Sequence, residues 1–233
     1  MSRLELLQAL GPEIEEECRL VANVIESLDR GPRAKFRTHF DAQTNQIVRC
    51  TGLALAMLNT LIFRLDANDR SRLEVLAILH TSISLQITSS KLFLSGHTVA
   101  AGALFRQVIE GVCLAFLCSA QSLPYLQRFE AGTYTANGAV ADLKRNARSA
   151  NVRPEAMKVT LDAYRFYHSF AHISRLTIAA GVDFSRGGAS QIGAYFDNDK
   201  LPEYAKEARS RAKFAGALPN AVVGIATNLA HWK

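Results

Sequence analysis

The sequence has four cysteines and no CxxC pair. Cys18, Cys50, Cys113 and Cys118 lie far apart or five residues apart, which excludes a zinc knuckle or a thioredoxin-type site. They read as reduced core thiols of a cytoplasmic protein. There is no HExxH pair for a metalloprotease, and Gly187-Gly188 with Gly193 has no Gly-Lys-Ser/Thr after it, so a phosphate-cradling loop is excluded. No Ser/His/Asp set or nucleophilic cysteine can be placed. No uninterrupted apolar run reaches the roughly 18 residues of a membrane span. The nearest stretches are 53–63, which is too short, and 99–118, which carries Arg106 and Glu110. Met1-Ser2-Arg3 leads into an amphipathic segment without a signal pattern, so no membrane association is expected. No repeat, low-complexity tract or linker divides the chain, and one helical domain over 1–233 is expected.

What is present is apolar material and a mild positive excess. The 233 residues are 48% hydrophobic, with 27 Lys and Arg against 21 Asp and Glu, a net charge of +6. Mean hydropathy is +0.03 and the pI about 9.3. That supports a sizeable core and permits contact with phosphates.

The hydrophobic periodicity is helical throughout. A short helix is expected over 2–10, and a second from Pro12, with Glu13, Glu15, Glu16 and Glu17 at its positive end, to Gly31-Pro32. Residues 30–39 read as a basic connector. Asp41 reads as the N-cap of a helix over 41–65, with an apolar stripe from Ile47 to Ile62 that Leu53 widens. Helix 70–95 has a small, hydroxylic side (Ser82, Ser84, Thr88, Ser89, Ser90), suited to a central or interfacial position. After Gly96, the helix 97–120 is apolar on nearly every side, as in the middle of a bundle. A helix over 122–149 is expected to break near Gly132 and Gly138. Pro154 opens a helix over 154–176. Segment 180–199 is irregular: a loop, a lid or a small hairpin. A last helix runs from Pro202, weakened at Gly216 and Pro219. The expected fold is an all-α bundle of about seven or eight helices around 97–120.

Two charged residues interrupt that central helix. Arg106 and Glu110 are one turn apart, in the less favourable order for a surface pair, and a buried pair is costly unless its partners satisfy it. They form either a clamp between helices or an anion-binding site. His168 and His172 are also spaced by four, near Arg165, Ser169, Tyr164 and Tyr167. Two such histidines could ligate a metal, but no third ligand is apparent and no metal or cofactor is expected. One histidine beside an arginine suits acid–base work, and satisfied histidines in an aromatic helix are the alternative. Lys144, Arg145, Arg148, Arg153 and Lys158 form a basic cluster, either a solvated helix end or a nucleic-acid contact.

An all-helical chain with an arginine and a histidine in the run Arg165-Phe-Tyr-His-Ser-Phe-Ala-His172 resembles the HEPN superfamily. Active members are metal-independent ribonucleases that work as dimers in which Arg and His of two chains meet, many of them in toxin–antitoxin and phage-defence systems. The resemblance implies Arg165 as phosphate binder and His172 as general base or transition-state partner. Phe166 stands where the family has a polar residue. The RxxxE central helix with a later aromatic, His-bearing helix also resembles bacterial helical proteins related to that group. Two readings result. One is a homo-oligomeric module that binds RNA or a protein. The other is an endoribonuclease using Arg165 and His172, with Arg106, Glu110 and Tyr164 shaping its pocket. Both place the Arg106 and His172 clusters face to face between helices 97–120 and 154–176.

Overall fold

A computed structural model describes residues 11–172, 174–183, 189–190 and 192–232. The helix expected over 2–10 lies outside them, as does part of segment 180–199. Among the described residues there are nine α-helices: α1 (Gly11–Glu26), α2 (Arg30–Arg64), α3 (Arg70–Leu94), α4 (Thr98–Ser119), α5 (Tyr125–Glu130), α6 (Ala139–Arg145), α7 (Pro154–His168), α8 (Arg175–Ala180) and α9 (Leu201–Ala230). Segment 180–199 contributes a two-residue antiparallel ladder, Val182–Asp183 with Ala189–Ser190. The fold is the all-α bundle that the periodicity indicates.

Helix α4 is its centre. It packs against α3, α6, α7 and α9 and buries Phe105, Val108, Ile109, Cys113, Ala115 and Leu117 completely. Helices α3 and α4 are joined tightly: Gly96, at φ +92°, is the left-handed residue after α3, and the His97 N–H reaches back to the Leu92 carbonyl. This is the hydrogen-bond pattern of a glycine-terminated helix. Of the small side of α3, Ser82, Ser89 and Ser90 are buried inside the chain, whereas Ser84 and Thr88 are exposed. A Cβ on Gly111 of α4 would stand 2.3 Å from Ser82 Oγ, so Ser82 permits close approach of α4 and not of another molecule. Helix α9 packs chiefly on α2.

Several expectations are corrected. Residues 30–39 are helical, because Phe36 and Phe40, one turn apart, bury with Phe93 and Tyr204 in an aromatic cluster. The cations and polar residues around them conceal that stripe in the sequence. Asp41 is no N-cap: α2 continues past a kink at Phe40 (φ −128°, ψ 29°), and Asp41 instead faces Arg37 at 3.5 Å and Asn45 at 2.9 Å. The residue before α2 is Asp29, whose carboxylate meets His97 Nε2 at 2.9 Å and ties the starts of α2 and α4. Leu53 does not widen the core stripe but is exposed. The 122–149 stretch breaks as expected, into α5, a 3₁₀ turn at Ala136–Gly138, and α6. Helix α7 stops at His168, short of 176, and α9 is continuous through Gly216 and Pro219. Cys113 and Cys118 are buried, whereas Cys18 is exposed and belongs to no core. Burial pushes the Cys113 thiol well up and that of Cys118 up to about 12, which keeps both as inert thiols.

Among the described residues, two helices, α2 and α4, are long and apolar enough to cross a bilayer by length and composition. The apolar window of α4 is 67% buried and that of α2 only 22%.

Candidate functional site

Arg106 and Glu110 lie on the face of α4 that meets α7. Arg106 Nε donates to Glu110 Oε1 at 2.9 Å, with the side chains 14% and 5% exposed. The Tyr164 hydroxyl, from α7, donates to Glu110 Oε1 at 3.3 Å and accepts from Arg106 Nη2 at 3.3 Å. The guanidinium carbon lies 5.5 Å from the Tyr164 ring centroid. Arg106 Nη1 then reaches His172 Nε2 at 3.4 Å. Arginine only donates, so this contact uses His172 with Nε2 unprotonated. His168, at the end of α7, sets its ring 5.4 Å from that of His172. Both histidines are exposed.

The local sequence explains how His172 arrives there. Helix α7 ends at His168 and the chain turns back on itself. Phe170 drops onto Gly102, where a Cβ would come within 2.4 Å of its ring, so only glycine lets the turn lie on α4. Arg106 is one turn further along the same face. Behind His172, Ser174 caps α8: its Oγ accepts from the Thr177 N–H at 3.2 Å, and the Thr177 hydroxyl answers the Ser174 N–H at 2.7 Å. The Thr177 hydroxyl also reaches the His172 carbonyl at 3.2 Å. This reciprocal cap fixes the backbone that carries the histidine.

Of the residues singled out from sequence, Arg106, Glu110, Tyr164, His168 and His172 therefore meet. Arg165 does not share one helix with His172. It is exposed on the outer side of α7, 3.8 Å from Asp162, and lines two grooves there. The cation beside His172 is Arg106. Of the five residues of the basic cluster, Lys144, Arg148, Arg153 and Lys158 line the first of those grooves, but Arg145 is taken up by Asp142.

Sequence reading passed over a second charged centre. Arg211 of α9 is fully buried and Glu207 is 4% exposed. Arg211 donates to Glu207 Oε1 from Nε at 2.9 Å and Nη2 at 2.7 Å, and from Nη1 to Ser89 Oγ at 2.7 Å. The Ser89 hydroxyl in turn donates to the Ala101 carbonyl at 2.7 Å. The rings of Phe93, Phe105 and Tyr167 surround the guanidinium, at 4.9, 4.7 and 5.4 Å. Burial pushes the Glu207 carboxyl above the usual range, and Arg211 restrains the rise. The signal was available: Tyr204, Ala208, Ala215, Leu218 and Val222 trace a buried stripe, and Arg211 stands in it.

Among the described residues, no three His, Cys, Asp or Glu side chains form a metal-binding group. No family model matches the chain, and no curated protein or solved structure matches it either.

Proposed function

We propose that this protein is a homo-oligomeric RNA-binding module whose Arg106–His172 centre receives a phosphate. The carrying observation is the division of Arg106: Glu110 and Tyr164 hold its buried edge, while Nη1 is presented at an exposed histidine. A cation anchored in this way keeps its geometry without losing access to an anion. The reading has its setting, in bacterial defence or a toxin–antitoxin pair, from the HEPN resemblance, and it expects a cytoplasmic protein. A second copy has a surface to use. The outer side of α2 exposes Val48, Leu53 and Phe63, the last 91% exposed, and Gly52 has open space around it. A largely apolar helix face of this kind, with Arg49 the exposed charge within it, suits a two-fold contact between like chains.

The test is binding of a fluorescein-labelled oligoribonucleotide, read by anisotropy, for the wild type and R106K. The fork geometry is lost in R106K while the charge stays, so affinity should fall about tenfold with circular dichroism unchanged. Equal affinities would overturn the centre's role.

One observation favours a second reading, a metal-independent endoribonuclease. Two exposed imidazoles beside an arginine and a phenol supply a base, an acid and a phosphate ligand in one place. In this reading Arg106 takes the position next to His172, and Arg165 binds phosphate in the neighbouring groove. Total RNA incubated in EDTA with wild type beside H172A decides it. Cleavage that the variant loses supports catalysis, and equal absence of cleavage retires it.

A further inference from the structure

The outer side of α7 is flanked by two open grooves. The first, about 720 Å³, lies between α7 and the segment that precedes it, and Lys144, Arg148, Arg153, Lys158 and Arg165 line it. The second, about 510 Å³, lies between α7 and α9, with Arg165 shared and Lys206, Arg209 and Lys213 added. Together they hold eight cations against one acid, Asp162, whereas the whole chain has 27 against 21. The chain's positive excess is thus concentrated on this one face, and the rest of the molecule is close to neutral. All eight cations are exposed.

The first groove and the Arg106–His172 centre share helix α7. Leu161 and Arg165 line the groove. Tyr164 and His168 follow Leu161 at three and seven residues, the spacing of one helical stripe. From Pro154 to His168 the helix spans about 21 Å, enough for several nucleotides. Its far end offers the rings of Tyr164, His168 and His172, with Tyr164 and His168 centroids 6.0 Å apart. A basic track ending in aromatic faces is what a single strand needs: cations follow the backbone while unpaired bases stack.

We propose that the groove along α7 is a binding track for single-stranded RNA, which leads one phosphate to Arg106 and His172. This rests on the RNA-binding reading above. The probe is a labelled 20-nucleotide oligouridylate, with a duplex RNA of the same length as a second arm. Binding is titrated between 50 and 300 mM salt for wild type, R148E/K158E, and K91E on α3, exposed and outside both grooves, as a control. Removing the cation opposite one phosphate should lower the salt slope by about 0.7. R148E/K158E should therefore bind at least tenfold more weakly, with a slope reduced by about 1.4, while K91E matches wild type. If wild type binds and the double variant binds equally, the track is wrong and the RNA reading stands. If duplex is bound as tightly as single strand, the commitment to single strands is wrong. If wild type binds neither, the track and the RNA reading fall together.

Discussion

Arg211 with Glu207 on α9, and Arg106 with Glu110 on α4, are the same two side chains at the same one-turn spacing, and they end in opposite surroundings. Around Arg211 every direction is closed: a carboxylate, a serine that is itself committed to a carbonyl, and three aromatic rings. Around Arg106 one direction is left to an exposed histidine. A sealed guanidinium can only hold helices together, here α9 to α3 and α4. One with an open edge holds α4 to α7 and still has a donor to give. The difference lies in the third partner and not in the pair, which is why pair spacing alone cannot separate a clamp from a site.

The largest expected effect separates the two pairs by stability. In E207Q a buried cation faces a neutral amide, and removing one partner of such a pair costs about 3–5 kcal/mol. For a chain of this size that is a Tm fall of about 6–20 °C. E110Q, whose Arg106 reaches solvent and His172, should cost only about 1–3 kcal/mol. Equal losses in calorimetry would break the contrast. A pH series sharpens it. In R211M, Glu207 loses the cation that restrains its raised carboxyl. A folded-state value above the unfolded one means that the native chain holds the proton more tightly, so stability is retained in acid and lost as pH rises through that folded value. R211M should therefore be closer to wild type in urea melts at pH 5 than at pH 8.

The central helix and its charged pair were legible because α4 breaks a simple rule, an all-round apolar helix with two ions in it. Tyr164 and the two histidines were legible as a cluster, but not the turn after His168 that carries His172 to Arg106. That turn depends on Phe170 meeting Gly102, a contact between residues 68 positions apart in sequence. The first third of α2 was misread because Phe36 and Phe40 are a two-residue stripe among cations, and their partners Phe93 and Tyr204 come from distant helices. Arg211 was missed for a different reason: its place in the stripe was visible, but its surroundings are charged (KEARSRAK), and the local pattern resembles a solvated face.

A middle-sized effect tests the link between turn and site. In G102A the added methyl would lie 2.4 Å from the Phe170 ring, so the ring and the turn behind it must move. Overpacking of this kind costs about 1–3 kcal/mol. The His172 ring signals in NMR should shift more than those of Tyr167, whose ring packs on both Phe170 and Arg211. If both centres respond alike, the turn is not what distinguishes them.

The smallest effect belongs to an ion pair that is mostly exposed. Arg165 and Asp162 stand 3.8 Å apart with side chains 72% and 58% exposed. In water the attraction is screened and the side chains lose entropy to hold the geometry, so such a pair contributes little. R165A should leave urea stability within about 0.5 kcal/mol of wild type. The three pairs then form a series in which stability loss follows enclosure: Glu207–Arg211, Arg106–Glu110, Asp162–Arg165. A loss in R165A comparable to that of E110Q would show that enclosure is not the variable, and the assignment of Arg106 as a cation left open for an anion would lose its energetic basis.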